Sequence, residues 1–255
     1  MPLTFPSHAG VVVPLKLWRP RWFDGVALVL GSTAPDLPYA IHRYAEIRAH
    51  TWWGLVWFCV PVTMLGCVAV RWAVAVTAAH LPMGGPLRLR DYGGLRDVRH
   101  PLLVTAFSAW LGALSHRLWD VVTHASIDQG TVRIPALGTE AVAGQPWWRV
   151  LFYGSTVAGA AAVLAAMVHI GRRRLLVRWH GPAPAVPTDP AWFWGTVALA
   201  WIAGSVPQPF LRGVTDPQVI VVRLLIVAAL GLLAGTAAVR ARRPATLERA
   251  PGGHH

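Results

Sequence analysis

The run Leu114-Ser115-His116-Arg117-Leu118-Trp119-Asp120-Val121-Val122-Thr123-His124 lies inside an apolar stretch that begins at Leu102. A helix turns ~100° per residue, so positions 116, 120 and 124 drift only ~80° around the axis and share one face. Ionisable groups on an apolar helix are costly unless they are paired or bound to something. The pattern therefore demands partners from elsewhere in the chain. Two imidazoles and a carboxylate suit zinc or a related divalent ion. The alternative is a polar helix–helix network in which Asp120 accepts hydrogen bonds from a histidine.

An apolar helix of this kind belongs in a membrane, and composition agrees. Of 255 residues, 55% are apolar and 13% charged, against about 25% charged in soluble domains. Mean hydropathy is +0.46. Residues 52–70 (extensible to 79), 148–170, 191–206 and 218–239 approach or reach the length that crosses ~30 Å of hydrocarbon. A fifth stretch, 102–122, qualifies if its polar face is covered. Residues 22–30 are too short to span and predict a buried or interfacial helix, stopped by Gly31, Pro35 and Pro38. The expectation is an all-α, polytopic integral membrane protein of the bacterial cytoplasmic membrane, with about five transmembrane helices plus short interfacial ones. Residues 1–170 would carry the site, 181–190 form a Pro-rich linker, 191–241 a C-terminal helical hairpin, and 242–255 a disordered tail.

The net charge of +12 is almost all arginine, Lys16 being the only lysine. Arg88, Arg90, Arg96 and Arg99 form one group, Arg172, Arg173, Arg174 and Arg178 a second, and Arg240, Arg242 and Arg243 a third. Basic groups placed between apolar runs are the pattern of cytoplasmic loops, so no nucleic-acid partner is expected. Putting all three in the cytoplasm sends residues 1–50 and 123–148 to the extracytoplasmic side, where the site would lie. Lys16, Arg19, Arg21, Arg43 and Arg48 then stand outside, against the positive-inside rule. Residues 1–16 lack a signal-peptide n-region, which predicts a retained N-terminus and with it His8. Cys59 and Cys67 fall ~12 Å apart along one helix, too far for a disulfide, and predict packing residues. Histidines 42, 80, 100, 169 and 180 and the many tryptophans sit near span ends, as interfacial residues do.

Further candidate ligands precede the first span. Asp36 lies in Pro35-Asp36-Leu37-Pro38, His50 follows fourteen residues later, and His8 lies in a short segment near the start. With His116, Asp120 and His124 they make a set that suits zinc, manganese or iron better than calcium.

Ser7-His8-Ala9, Gly31-Ser32-Thr33-Ala34-Pro35-Asp36 and Gly112-Ala113-Leu114-Ser115-His116 through Thr123-His124 resemble the bacterial membrane family labelled domain of unknown function 4184. The segment Trp147 to Val157 also fits, with Phe152 where glutamine is expected. The resemblance covers most of residues 1–165 and implies similarity to inner-membrane metal-dependent hydrolases. A more distant one runs to zinc-dependent phospholipases C and single-strand-specific nucleases. Carried over, it implies Asp36, His50, His116 and Asp120 around one zinc, His8 with a bridging Asp120 at a second, and His124 at a third. The downstream His-x-x-x-Glu and the ligating terminal amine of those enzymes have no counterpart here, Glu140 being the nearest acid, so one or two ions are expected. Asp36 or Asp120 would orient or deprotonate a water. Arg117 could neutralise phosphate, though its spacing aims it away from the histidine face. The expected function is hydrolysis of a phosphoester, with a lipid or lipid-linked phosphate as substrate and membrane lipid as partner. The alternative is a non-catalytic membrane protein with a structural metal or polar His/Asp cluster. Haem ligation is disfavoured by the interleaved carboxylates, and proton-coupled transport by the lack of buried acids in the last two spans.

Overall fold

The computed structural model describes residues 5–125 and 134–242. Of the expected disordered tail, residues 243–255 lie outside them. In hydrocarbon a backbone must satisfy its own hydrogen bonds, which favours helices throughout. The described chain is nearly all-α. Its helices are α1 (Phe5–Trp18), α2 (Gly25–Gly31), α3 (Trp52–Ala79), α4 (Leu102–Thr123), α5 (Trp147–Arg172), α6 (Leu175–His180), α7 (Pro190–Ser205) and α8 (Pro217–Ala241). Short 3-10 segments include Ala34–Ile41 and Leu89–Asp97, and one small hairpin pairs β1 (Glu140–Val142) with β2 (Gln145–Pro146). Three helices, α3, α5 and α8, are long and apolar enough to cross a membrane.

Local chemistry fixes the element ends. Asp24 caps α2 by accepting from the amides of Val26 and Ala27. Asp189 and Asp216 do the same for α7 and α8, each just before a proline at the first helical position. The first part of α3 widens into a π turn over Leu55–Cys59. Pro61 has no amide to offer the Trp57 carbonyl four residues back, which explains the widening.

Two pairs of helix backbones approach closely where glycine removes a side chain. A Cβ on Gly112 would stand 2.4 Å from the Leu28 carbonyl oxygen, and one on Gly31 would stand 2.3 Å from that of Ala109. α2 and α4 are therefore in backbone contact. A Cβ on Gly159 would meet the Ser7 Cβ at 2.3 Å, which seats α1 directly on α5. In a membrane such close packing, rather than transfer from water, holds helices together. A buried ion pair adds to it. Arg71 of α3 reaches Asp24 at 2.5 Å, and Thr105 of α4 donates to the same carboxylate at 2.9 Å. Sequence reasoning passed over this pair, although an arginine amid an apolar span signals a buried acid partner.

The basic loops gather at one end of the molecule. Arg174 forms a two-pronged ion pair with Asp91, at 2.9 and 3.0 Å. Arg242 meets Asp189 at 3.2 Å, and the Asp189 amide donates to His80 at 3.0 Å. His80 is thus a structural tie rather than a solvated residue.

Residues 1–50 do not all lie at the opposite end, as the sequence pattern suggests. α1 is a helix despite Pro14, and it runs from the level of Gly159 to the basic end. There the Lys16 amine sits 5.7 Å above the Trp179 ring and donates to the Pro20 and Phe23 carbonyls. α2 and the 34–41 segment then return. Arg19 and Arg21 consequently stand with Arg99 and Arg178. The charge conflict found in the sequence disappears for Lys16, Arg19 and Arg21 and persists for Arg43 and Arg48. α8 packs on the 34–41 segment, where buried Arg223 donates to the Ala40 and Arg212 carbonyls at 2.8 Å each.

Candidate metal centre

The α2–α4 contact places the Ser32 carbonyl over His116. That carbonyl can only accept, so the His116 Nδ1 at 2.8 Å carries a proton, and Nε2 faces inward. Around this Nε2 the chain assembles the other candidates. Asp120, one turn on, lies 3.1 Å away, and Asp36 lies 3.4 Å away. His50 approaches Asp36 at 3.3 Å and Asp120 at 3.7 Å. His8 reaches Asp120 at 3.8 Å, and its ring stacks on that of His116 with centroids 3.9 Å apart. His124 Nδ1 stands 3.4 Å from Asp120.

These spacings bear on the choice between a hydrogen-bond network and a ligand shell. Among the described residues, both ring nitrogens of His8, Nε2 of His116 and Oδ1 of Asp120 are buried without a hydrogen-bond partner. Such orphaned groups are costly unless something further binds them. Four ligands at ~2.0–2.2 Å around a tetrahedral zinc stand ~3.3–3.6 Å from one another. The imidazole–carboxylate separations here run from 3.1 to 3.8 Å, measured to the nearer carboxylate oxygen. Two groups, His8–His116–Asp120 and Asp36–His50–His116, each hold their ligand atoms within 4.8 Å of one another. The donor set therefore fits one or two small divalent ions.

Burial opposes ionisation of Asp36, but His116 and then His50 outweigh it and hold its carboxyl well below the ordinary range. Asp36 is thus an anion at neutral pH. His8 and His116 are sealed, at 2% and 1% exposure. His50 keeps an open edge, its side chain 14% exposed. It lines a cleft of about 590 Å³ with Tyr39, His42, Glu46 and Arg48. An apolar cavity of about 550 Å³ between α1, α4 and α5 flanks the other side, bounded by Ser7, Trp119, Thr123 and Leu151.

All six residues expected from the sequence converge, though two arrive differently. His8 is held on α1 by its packing against α5, not in a loop. His124 is not on the helical face at all. It is the C-cap of α4, in extended conformation at φ −129° and ψ 143°, and folds back toward Asp120. Its ring is edge-on to buried Phe152 at 5.3 Å. Glu140 does not complete a third site, because it is exposed and accepts from the Gly144 amide in the β hairpin. Arg117 points away from the histidine rings, as its spacing predicts, onto the backbone of the His50 segment. It is 8% exposed, donates to the His50 carbonyl, and stacks over Trp52 at 4.8 Å. The Ser32 carbonyl and this Arg117 brace are the supports that sequence reasoning missed. A backbone carbonyl leaves no sequence signal, but an arginine within the motif does.

Comparison with curated proteins and with solved structures finds no match. The family model described as a domain of unknown function (DUF4184) matches residues 1–241, which takes in both the site-bearing helices and the C-terminal hairpin, and the chain belongs to that family.

Proposed function

We propose that this protein is a membrane-embedded, metal-dependent phosphoester hydrolase acting on a lipid or lipid-linked phosphate. The observation that carries this reading is the set of orphaned, buried donors on His8, His116 and Asp120 at tetrahedral ligand spacing. Asp36, His50, His116 and Asp120 would hold one ion, and His8 with Asp120 a second. Zinc suits this donor set best. When bound, such an ion lowers the pKa of a water and polarises a phosphoryl oxygen.

The chain's own residues do the rest. Asp36, an anion facing the half-open His50, accepts a proton from an incoming water or orients it. Arg117 fixes the His50 backbone and so the aim of its ring. The cleft over His50 admits a polar head group, while the apolar cavity beside Ser7 and Trp119 accommodates a chain. In this reading α3, α4, α5, α7 and α8 cross the cytoplasmic membrane, α1 and α2 form a re-entrant hairpin, the basic end is cytoplasmic and the cleft opens outside.

Elemental analysis of the detergent-purified protein tests the metal, beside Asp120→Ala and His116→Ala variants. One or two equivalents of zinc, manganese or iron in wild type, lost in both variants, are expected. Turnover of a lipid phosphoester by the loaded wild type is then expected and is abolished in Asp36→Asn. Metal without turnover would leave a structural centre that ties α1, α4 and the 34–50 segment together. Absence of metal after reconstitution overturns the proposal.

A further inference from the structure

A second constellation lies at the opposite end of the bundle from the candidate metal centre. The chain reversal between α1 and α2 meets the loop before α4 and the short helix α6. Together they form a vestibule of about 910 Å³ whose walls carry Arg19, Arg21, Arg99 and Arg178. The acid in that wall, Asp97, is 3.7 Å from Arg96. Arg99 is turned to the Arg96 and Val98 carbonyls, and Arg19 rests over Trp18 at 4.9 Å. Arg21 and Arg178 are exposed and have no acidic partner among the described residues. The vestibule is therefore strongly cationic.

It is also continuous with an apolar cavity. Val98, His100, Trp179 and His180 line both spaces. The inner space, about 370 Å³, runs between α1, α2 and α5 and is walled by Val13, Val26, Val163, Ala166, Met167 and Ile170. Its size falls within the ~300–1,000 Å³ of small-molecule sites. Lys16 and Asp24 touch its boundary, but both are committed elsewhere, Lys16 to two carbonyls and Asp24 to Arg71. At the junction of the two spaces, the Nε2 atoms of His100 and His180 are buried and, among the described residues, lack a hydrogen-bond partner.

A ligand that fits both parts has an anionic head, polar oxygens just below it and a hydrocarbon chain. A soluble phosphate ester leaves the inner cavity empty, and a neutral lipid leaves the arginines without a counter-charge. We infer that this paired vestibule and cavity is a binding site for one anionic phospholipid. Its phosphate lies among Arg21, Arg178, Arg19 and Arg99, its ester oxygens face His100 and His180, and one acyl chain enters between α1, α2 and α5. Exposed Trp18 and Trp22 flank the vestibule, as rings at the head-group level of a bilayer do. The site is independent of the metal centre and of any turnover there.

The test uses the full chain, delipidated in a neutral detergent, and follows binding by native mass spectrometry and thermal unfolding. Dioleoylphosphatidylglycerol is expected to bind one to one and to raise the unfolding temperature. Dioleoylphosphatidylcholine, dihexanoylphosphatidylglycerol and inorganic phosphate are expected to bind at least tenfold more weakly. The double variant Arg21→Gln/Arg178→Gln removes head-group charge, and Ala166→Trp fills the cavity. Each is expected to lose at least tenfold in affinity for dioleoylphosphatidylglycerol while keeping the metal content of wild type. If Ala166→Trp does not fold, Val163→Phe fills the same space. Equal binding of the two dioleoyl lipids overturns the inference. So does full binding by the short-chain lipid or by phosphate, or unchanged affinity in the cavity-filling variant, each of which reduces the site to a basic surface.

Discussion

Asp120 is the residue on which the candidate centre turns. His116, His124, His50 and His8 lie 3.1, 3.4, 3.7 and 3.8 Å from its two carboxylate oxygens. Asp120→Asn keeps its shape but removes the charge and adds donors that face histidines. Metal affinity is expected to fall by more than the ~10–100-fold typical of outer supports, as read by competition with a chromophoric chelator. Arg117→Met is such an outer support, because it frees the His50 carbonyl while leaving every ligand in place. A loss of ~10–100-fold is expected for it, with secondary structure unchanged. Acidification sets a third expectation. Ligating imidazoles must be neutral and ligating carboxylates ionised, so protons compete with the ion, and metal affinity is expected to fall as pH is lowered and to recover as it is raised. At this scale the sequence was informative where spacing carries the geometry. His116 and Asp120 are one turn apart on a helix, and the scarcity of acids singled out Asp36. It was uninformative for His124, whose ring returns only because the chain leaves the helix at that residue.

Helices set where those side chains meet, and the deciding positions are small. Gly112 and Gly31 let α2 lie against α4, which brings Ser32 over His116 and carries Asp36 in behind it. Gly112→Val would drive a side chain into the Leu28 carbonyl and the Ser32 amide. Overpacking of this kind costs about 1–3 kcal/mol, so a lower unfolding temperature together with reduced metal content is expected. Gly159→Leu would push α1 off α5 and withdraw His8, lowering metal content by the ion that His8 serves. Gly154→Ala, on the same helix but with open space around it, is the neutral control. Hydrophobic runs made α3, α4, α5, α7 and α8 legible as helices, but of the five spans expected only α3, α5 and α8 are, among the described residues, long and apolar enough to cross a membrane. α1 was not legible. The sequence suggested only a short loop around His8, and the segment is helical because it packs on α5 and cannot leave its amides unpaired. The π turn in α3 was equally hidden, although Pro61 gave its cause.

For the molecule as a whole, the hairpin of α1 and α2 changes how charge is distributed. With α1 and α2 doubling back, Arg21 shares a vestibule with Arg99 and Arg178. Glu46 and Arg48 line the cleft at the other end. Both natural cysteines are buried, so cysteines placed on the surface can be labelled over a silent background. Arg21→Cys, Arg173→Cys and Glu46→Cys all change exposed side chains and leave the candidate ligands alone. In inverted membrane vesicles, an impermeant maleimide is expected to modify Arg21→Cys and Arg173→Cys and to spare Glu46→Cys. In spheroplasts the pattern reverses. Reversal of both sets together would leave the hairpin intact and turn the protein over, putting the cleft in the cytoplasm. Labelling of Arg21→Cys from the same side as Glu46→Cys would break the hairpin itself, because α1 could not then reach the basic end. His8 would lose the helix that delivers it to Asp120, and the second ion would lose its ligand.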